Sequence, residues 1–181
     1  GIHPATSLWL PDRTIRVFDE AVTAAAQDGR TISVAVVRPR VPPVGVRGAA
    51  AWHRECAQLA AALGEDVLCG FVDETSVAAF LPMDAAAASA RLEPLARASA
   101  GTATAWCGVA EQPAGAERGA RTLSHLAEEA WQAARDGNEH VHRWDTADAG
   151  IAPDVIIVED DPALADLVGY ALTSRGLTHQ V

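Results

Sequence analysis

The chain has 181 residues, 14 Arg plus Lys against 24 Asp plus Glu, a formal net charge of −10, and 49% hydrophobic and 21% charged residues. This is the balance of a globular protein and excludes the disordered and fibrous classes. No lysine occurs, which excludes Schiff-base and P-loop lysine chemistry, and the acidic excess opposes binding to a nucleic-acid backbone, which needs clustered cations.

In chain order, Asp12 is placed to cap a helix with Ile15, Phe18, Val22 and Ala25 on one face, and Gly29 to stop it. Residues 31–37 (TISVAVV) are β-branched and apolar, a buried strand. The proline- and glycine-rich run 38–48 (RPRVPPVGVRG) reads as a loop. Residues 49–63 form helix, ended by Gly64. Strands at 67–72 and 77–81 flank the polar turn Asp73, Glu74, Thr75 and Ser76, a hairpin pattern. Residues 84–98 are helix, 102–110 strand, 111–119 loop and 122–135 helix, with Leu123, Leu126, Ala127, Ala130, Trp131 and Ala134 on one face. A short strand at 139–144 follows. This order argues for one sheet covered by helices.

No apolar run approaches the roughly 18 residues of a membrane helix, and no signal-peptide pattern opens the chain. Three widely spaced cysteines, Cys56, Cys69 and Cys107, read as reduced, buried thiols of a cytoplasmic protein. Residues 145–153 (DTADAGIAP) are small and polar, a linker. Then 154–158 (DVIIV) is a strand, Glu159, Asp160 and Asp161 are acidic, and Asp161 with Pro162 suit the start of a helix carrying Leu164, Leu167, Val168, Ala171 and Leu172 on one face.

The first part resembles the GGDEF, or diguanylate cyclase, family. HPATSLWLPDR resembles that family's D-P-x-T-G-L-P-N-R entry, TISVAVV its first core strand, and the hairpin ending AAFLP the one that displays the GG[DE]EF signature. ATAWCGVAEQ resembles its V-S-x-G-V-A strand, and LSHLAEEAWQAARDGN its last helix. Counted back from Pro82, the signature falls on Asp73, Glu74, Thr75, Ser76 and Val77, without glycine or acidic pair in the family's places. A two-residue shift would make Asp73 and Glu74 the acidic pair, still without the glycines. The family's other magnesium carboxylate, just after the first strand, corresponds to Arg38, whose fixed positive charge should repel a divalent cation. The inhibitory R-x-x-D motif aligns near residues 63–66, where arginine is absent.

The second resemblance begins at Asp154. DVIIVEDDPALADLVGYALTSRGL is similar to the first strand and helix of a response-regulator receiver domain, whose magnesium-binding acidic pair matches Glu159 and Asp160. The phosphoacceptor strand of that fold would lie beyond Val181, so the site is incomplete here, and magnesium is expected only in a complete receiver domain.

The fold expected is α/β of the α+β sandwich type: a GGDEF-like mixed sheet flanked by helices over 1–145, a linker over 146–153, and a strand–helix fragment of a doubly wound receiver fold over 154–181. These resemblances imply a non-catalytic regulatory or interaction domain of a bacterial two-component response regulator. A guanine-nucleotide sensor without turnover and an active cyclase are the alternatives. No catalytic or cofactor-binding residue is assigned, and no cofactor. The partners implied are proteins: a sensor kinase acting through the full receiver domain, and a second copy of the chain. Neither nucleic acid nor membrane is expected as a partner.

His140-x-His142 has a spacing metals use, but surface or interface histidines fit it better without a third ligand. Arg38, Arg40 and Arg47 form an anion-attracting edge or are solvated loop residues.

Overall fold

The computed structural model describes residues 1–4, 6–40, 43–98, 105–116, 118–145, 155–156, 162–173 and 179–180. Its contacts divide the chain into two compact units, Gly1–Asp148 and Ala149–Val181.

In the first unit, α1 (Pro11–Gln27) opens on a proline, whose fixed φ suits the first helical turn. The sequence pointed to Asp12 as the cap. Leu10 is the N-cap instead, with no side-chain bond, and Asp12 sits in the first turn, where a carboxylate favours the helix dipole. Thr14, Phe18, Val22 and Ala25 face inward, while Ile15, one residue off that stripe, is 59% exposed. Gly29 takes a left-handed φ of +64° after the helix, as expected.

Strand β1 (Ile32–Pro39) runs two residues further than the sequence implied. Its pairing with β3 (Val77–Leu81) stops at Val37, whereas its pairing with β4 (Ala105–Gln112) continues to Pro39 opposite Ala105. The proline therefore lies where the strand has a neighbour on one side only, a place that tolerates a missing N–H. Helix α2 (Gly45–Leu63) begins four residues before the reading from sequence. β2 (Leu68–Phe71) and β3 form the hairpin, α3 (Ala85–Ala98) follows, and the Asp84 carboxylate accepts from Ala87 N–H. α4 (Ala120–Gly137) ends on Asn138 in the left-handed region. β5 (Val141–Arg143) closes the sheet.

The five strands lie in the order β2-β3-β1-β4-β5, antiparallel except for the β4–β5 pair. Alternate residues of β1 serve opposite faces. Val34 and Val36 join Phe80 beneath Phe18 and Val22 of α1 and Leu123 and Ala127 of α4. Ala35 packs with Leu63 of α2 and Leu92 of α3, and Val37 with Trp52, Cys56 and Cys107. Burying each valine, leucine or phenylalanine contributes about 1.5–3 kcal/mol. Gly108 lets α4 approach β4 closely: a Cβ there would overlap the Ala127 carbonyl oxygen and the Trp131 backbone.

The N-terminal segment reaches the β2 edge. Trp9 bridges Gly70 in parallel and Ile2 in antiparallel fashion, and Phe71 N–H donates to Trp9 O at 2.9 Å. Gly70 has no side chain because Thr14 fills the space a Cβ would take.

In the second unit, β6 (Val155–Ile156) and β7 (His179–Gln180) pair in parallel, with α5 (Pro162–Thr173) between them in sequence. Leu164, Leu167 and Val168 of this helix are 44%, 64% and 38% exposed within the chain. Glu159 and Asp160, the candidate metal pair, lie outside the described residues, as do 157–161 as a whole. No helix among the described residues is long and apolar enough to cross a membrane.

Candidate functional site

The hairpin turn between β2 and β3 is organised by one carboxylate. Asp73 Oδ1 accepts from the N–H groups of Thr75 and Ser76, both at 2.7 Å, and from Thr75 Oγ1 at 3.1 Å. Its Oδ2 accepts from Ser76 Oγ at 2.7 Å, and Val72 N–H donates to Ser76 O to close the turn. An aspartate that bonds its own backbone two and three residues on is a local turn device, which explains a tight turn without glycine. Burial opposes ionisation of Asp73, but the donors from Ser76 and Thr75 together outweigh it and hold its pKa below the usual carboxylate value.

Arg38, near the end of β1, enters this network from the strand. Its Nε donates to Ser76 Oγ at 2.6 Å, so one hydroxyl accepts from the arginine and donates to Asp73. Its Nη2 bonds Glu128 Oε1 of α4 at 2.6 Å and lies 3.8 Å from Asp73 Oδ2. The guanidinium also stacks 4.6 Å from the centre of the Trp131 ring, a favourable cation–π arrangement. With a side chain only 20% exposed, Arg38 ties β1, the turn and α4 together. A guanidinium is no ligand for a metal ion, and the carboxylates facing it are already engaged by it. The residues at this place therefore do not fit a divalent cation.

Beside the turn lies a cavity of about 380 Å³ whose wall includes His3, His53, Phe71, Asp73, Glu74 and Thr75. The His3 and His53 rings are 4.4 Å apart. Burial, aided by the neighbouring His3, lowers the His53 pKa.

Of the other residues singled out by sequence, Arg40 stacks 5.1 Å from Trp106 and Arg47 is exposed on α2. Arg38 faces carboxylates and not an open anion-binding edge. Asp66, in the segment matched to the inhibitory motif, is held by Arg91 of α3 with two 3.0 Å contacts, and Arg91 also donates to Leu63 O. His142 Nδ1 lies 2.9 Å from Glu139, and no group of three or more His, Cys, Asp or Glu residues able to hold a metal occurs among the described residues. All three cysteines are reduced, and burial pushes the thiols of Cys69 and Cys107 up to about 12. Glu128 and the two histidines of the turn cavity were missed. Glu128 lies 90 positions from Arg38, and nothing local marks it as a partner.

No family model matches the sequence, and no curated protein matches it. Solved structures do resemble it. The GGDEF domain of DgcB from Caulobacter crescentus, crystallised with c-di-GMP, is 18% identical over 78% of this chain and 94% of its own, with a TM-score of 0.68. The fold is that of a GGDEF domain. The FimX GGDEF domain from Pseudomonas aeruginosa, 18% identical, covers 78% of this chain and 98% of its own at a TM-score of 0.69. The active GGEEF domain of a diguanylate cyclase from Vibrio cholerae is 14% identical over 76% of this chain and 98% of its own, with a TM-score of 0.68. At such identities the likeness establishes architecture, and chemistry has to be argued from the residues.

Proposed function

We propose that residues 1–145 form a regulatory or interaction domain of GGDEF fold that does not synthesise cyclic di-GMP, and that residues 154–181, after a linker, begin a receiver domain. By this reading the chain belongs to a cytoplasmic bacterial response regulator, its partners being a sensor kinase and a second copy of itself. Glu159 and Asp160 would then be the receiver's magnesium pair. The single observation that supports loss of turnover is the Arg38 guanidinium, fixed between Ser76, Glu128 and Asp73 where the resemblance puts a metal carboxylate. A permanent cation there repels a divalent one. Incubation with guanosine triphosphate and magnesium or manganese is expected to yield no cyclic di-GMP by chromatography. Product that disappears in Asp73→Ala would overturn the reading.

The turn cavity favours a second reading, in which guanine nucleotide binds without reacting. Its volume of about 380 Å³ lies within the usual range of ligand sites. Titration calorimetry with guanosine triphosphate, with and without magnesium, tests this. Absence of heat at about millimolar nucleotide, a weak-binding limit, removes it.

A further inference from the structure

The N-terminal segment is folded back on itself around His3, whose N–H donates to Leu8 O at 2.6 Å and whose carbonyl accepts from Ser7 N–H at 3.0 Å. Ser7 holds a φ of +60°, an unfavourable conformation for a residue with a side chain, so the loop keeps this shape only while its contacts hold. One contact is with β2: Trp9 bridges Gly70, and Trp9 O accepts from Phe71 N–H at 2.9 Å. The other is made of rings. The centre of the His3 ring lies 4.4 Å from that of His53 on α2, and the two lie 5.3 and 5.7 Å from the Phe71 ring. His3 thereby joins the segment to α2 and β2 at once.

Uncharged rings at such distances attract one another. Two imidazolium ions in the same place repel, and histidine is the side chain whose charge changes between about pH 5 and 8. Burial, and after it the neighbouring His3, holds the His53 pKa below its ordinary 6.5. Asp73 and Glu74 of the turn line the same cavity, and the rest of its described wall carries no charge. Asp73 is committed to the N–H groups of Thr75 and Ser76, and Arg54, next to His53 on α2, is exposed. None of these reverses the direction of the His53 shift.

We propose that the His3–His53 contact is a pH-sensitive latch: in mildly acidic solution the pair takes up protons, the like charges part, and the segment loosens from β2. Because the folded His53 value lies below the unfolded 6.5, the contact is fully kept above about that pH and weakens as pH falls toward the folded value. The latch needs no occupant in the turn cavity and stands whether or not nucleotide binds there.

Amide exchange of the full chain without nucleotide tests it, read by NMR as protection factors, which divide out the intrinsic pH dependence of exchange. One extra proton on the open form raises the opening constant by up to about eightfold between about pH 7 and about pH 5.5. Phe71 N–H, the donor to Trp9 O, is therefore expected to lose protection severalfold over that interval, while amides of β1, paired on both sides, keep theirs. His53→Phe, which keeps a ring but takes no charge, should make Phe71 protection independent of pH there. His3→Phe should reduce the loss by removing one of the two like charges, so a poorly folding His53→Phe protein does not end the test. Equal Phe71 protection at both pH values in the wild type overturns the proposal. So does a loss of wild-type size in both variants, or a parallel loss in β1, which would mark unfolding of the whole domain.

Discussion

One sheet carries two helical layers that are finished to different standards. On the side of α1 and α4, phenylalanine, valine and leucine side chains interlock, and α4 sits so close to β4 that position 108 must be glycine. On the side of α2 and α3, Trp52, Cys56, Leu63 and Leu92 meet the sheet together with Ala88 and Ala96, and a cavity of about 160 Å³ is left behind. Close packing on the first side fixes α4 in place, and that is what lets Glu128 meet Arg38 from a distant part of the chain. Packing on the second side is less complete, although its helices bury larger side chains. Small residues on both partners, Gly108 on β4 and Ala127, Ala130 and Ala134 on α4, are therefore what bring a helix closest to this sheet.

Substitutions on each side test it separately. The largest effect is expected from Gly108→Ala, whose methyl group has only backbone to displace on α4; denaturant unfolding should show a loss of about 3 kcal/mol, at the upper end for overpacking. If that protein is as stable as the wild type, the tight face is not tight. Next comes Arg38→Ala, which leaves Glu128 and the Ser76–Asp73 pair without their cation. Because Glu128 and Asp73 are roughly half exposed, a loss of about 2 kcal/mol is expected, and Arg38→Lys should recover only part of it for want of the planar fork. On the loose face the sign reverses. Ala96→Leu, which adds methyl groups to the wall of that cavity, should raise the unfolding free energy by about 1 kcal/mol.

The smallest effect is a pH dependence. Asp73 has a folded pKa below its unfolded value of 3.8. It therefore contributes stability that is fully present above about pH 5 and is lost as pH falls through the folded value. Acid unfolding curves of the wild type and Asp73→Asn should differ above that range and converge at the acid end. Curves that stay parallel down to about pH 2 would show that the turn bonds do not hold the ionised form.

Much of the first unit was readable from local pattern. The run 77–81 became β3 with the same limits, because a short apolar stretch next to a polar turn leaves few alternatives. The segment after β1 was misread because three prolines in eleven residues look like a loop; only the one-sided pairing with β4 explains how Arg38 and Pro39 remain in the strand. That error matters, since strand geometry is what aims Arg38 across the sheet toward α4. The sequence did single out Arg38 and Asp73, as a lost metal ligand and a solvated turn. Their joint use with Ser76 and Glu128 depends on tertiary placement, which no spacing encodes. The apolar positions of α5 marked a helix that the structure has, and periodicity marks a face without saying what covers it.

The short N-terminal stretch that bridges Gly70 through Trp9 lies along the outer side of the hairpin. An open strand at a sheet margin is a template on which another molecule can add itself, and repeated addition leads to aggregates. By occupying that margin with its own backbone, the protein turns a sticky seam into an internal one, so trimming the leading ten residues should cost solubility before it costs the shape of the domain.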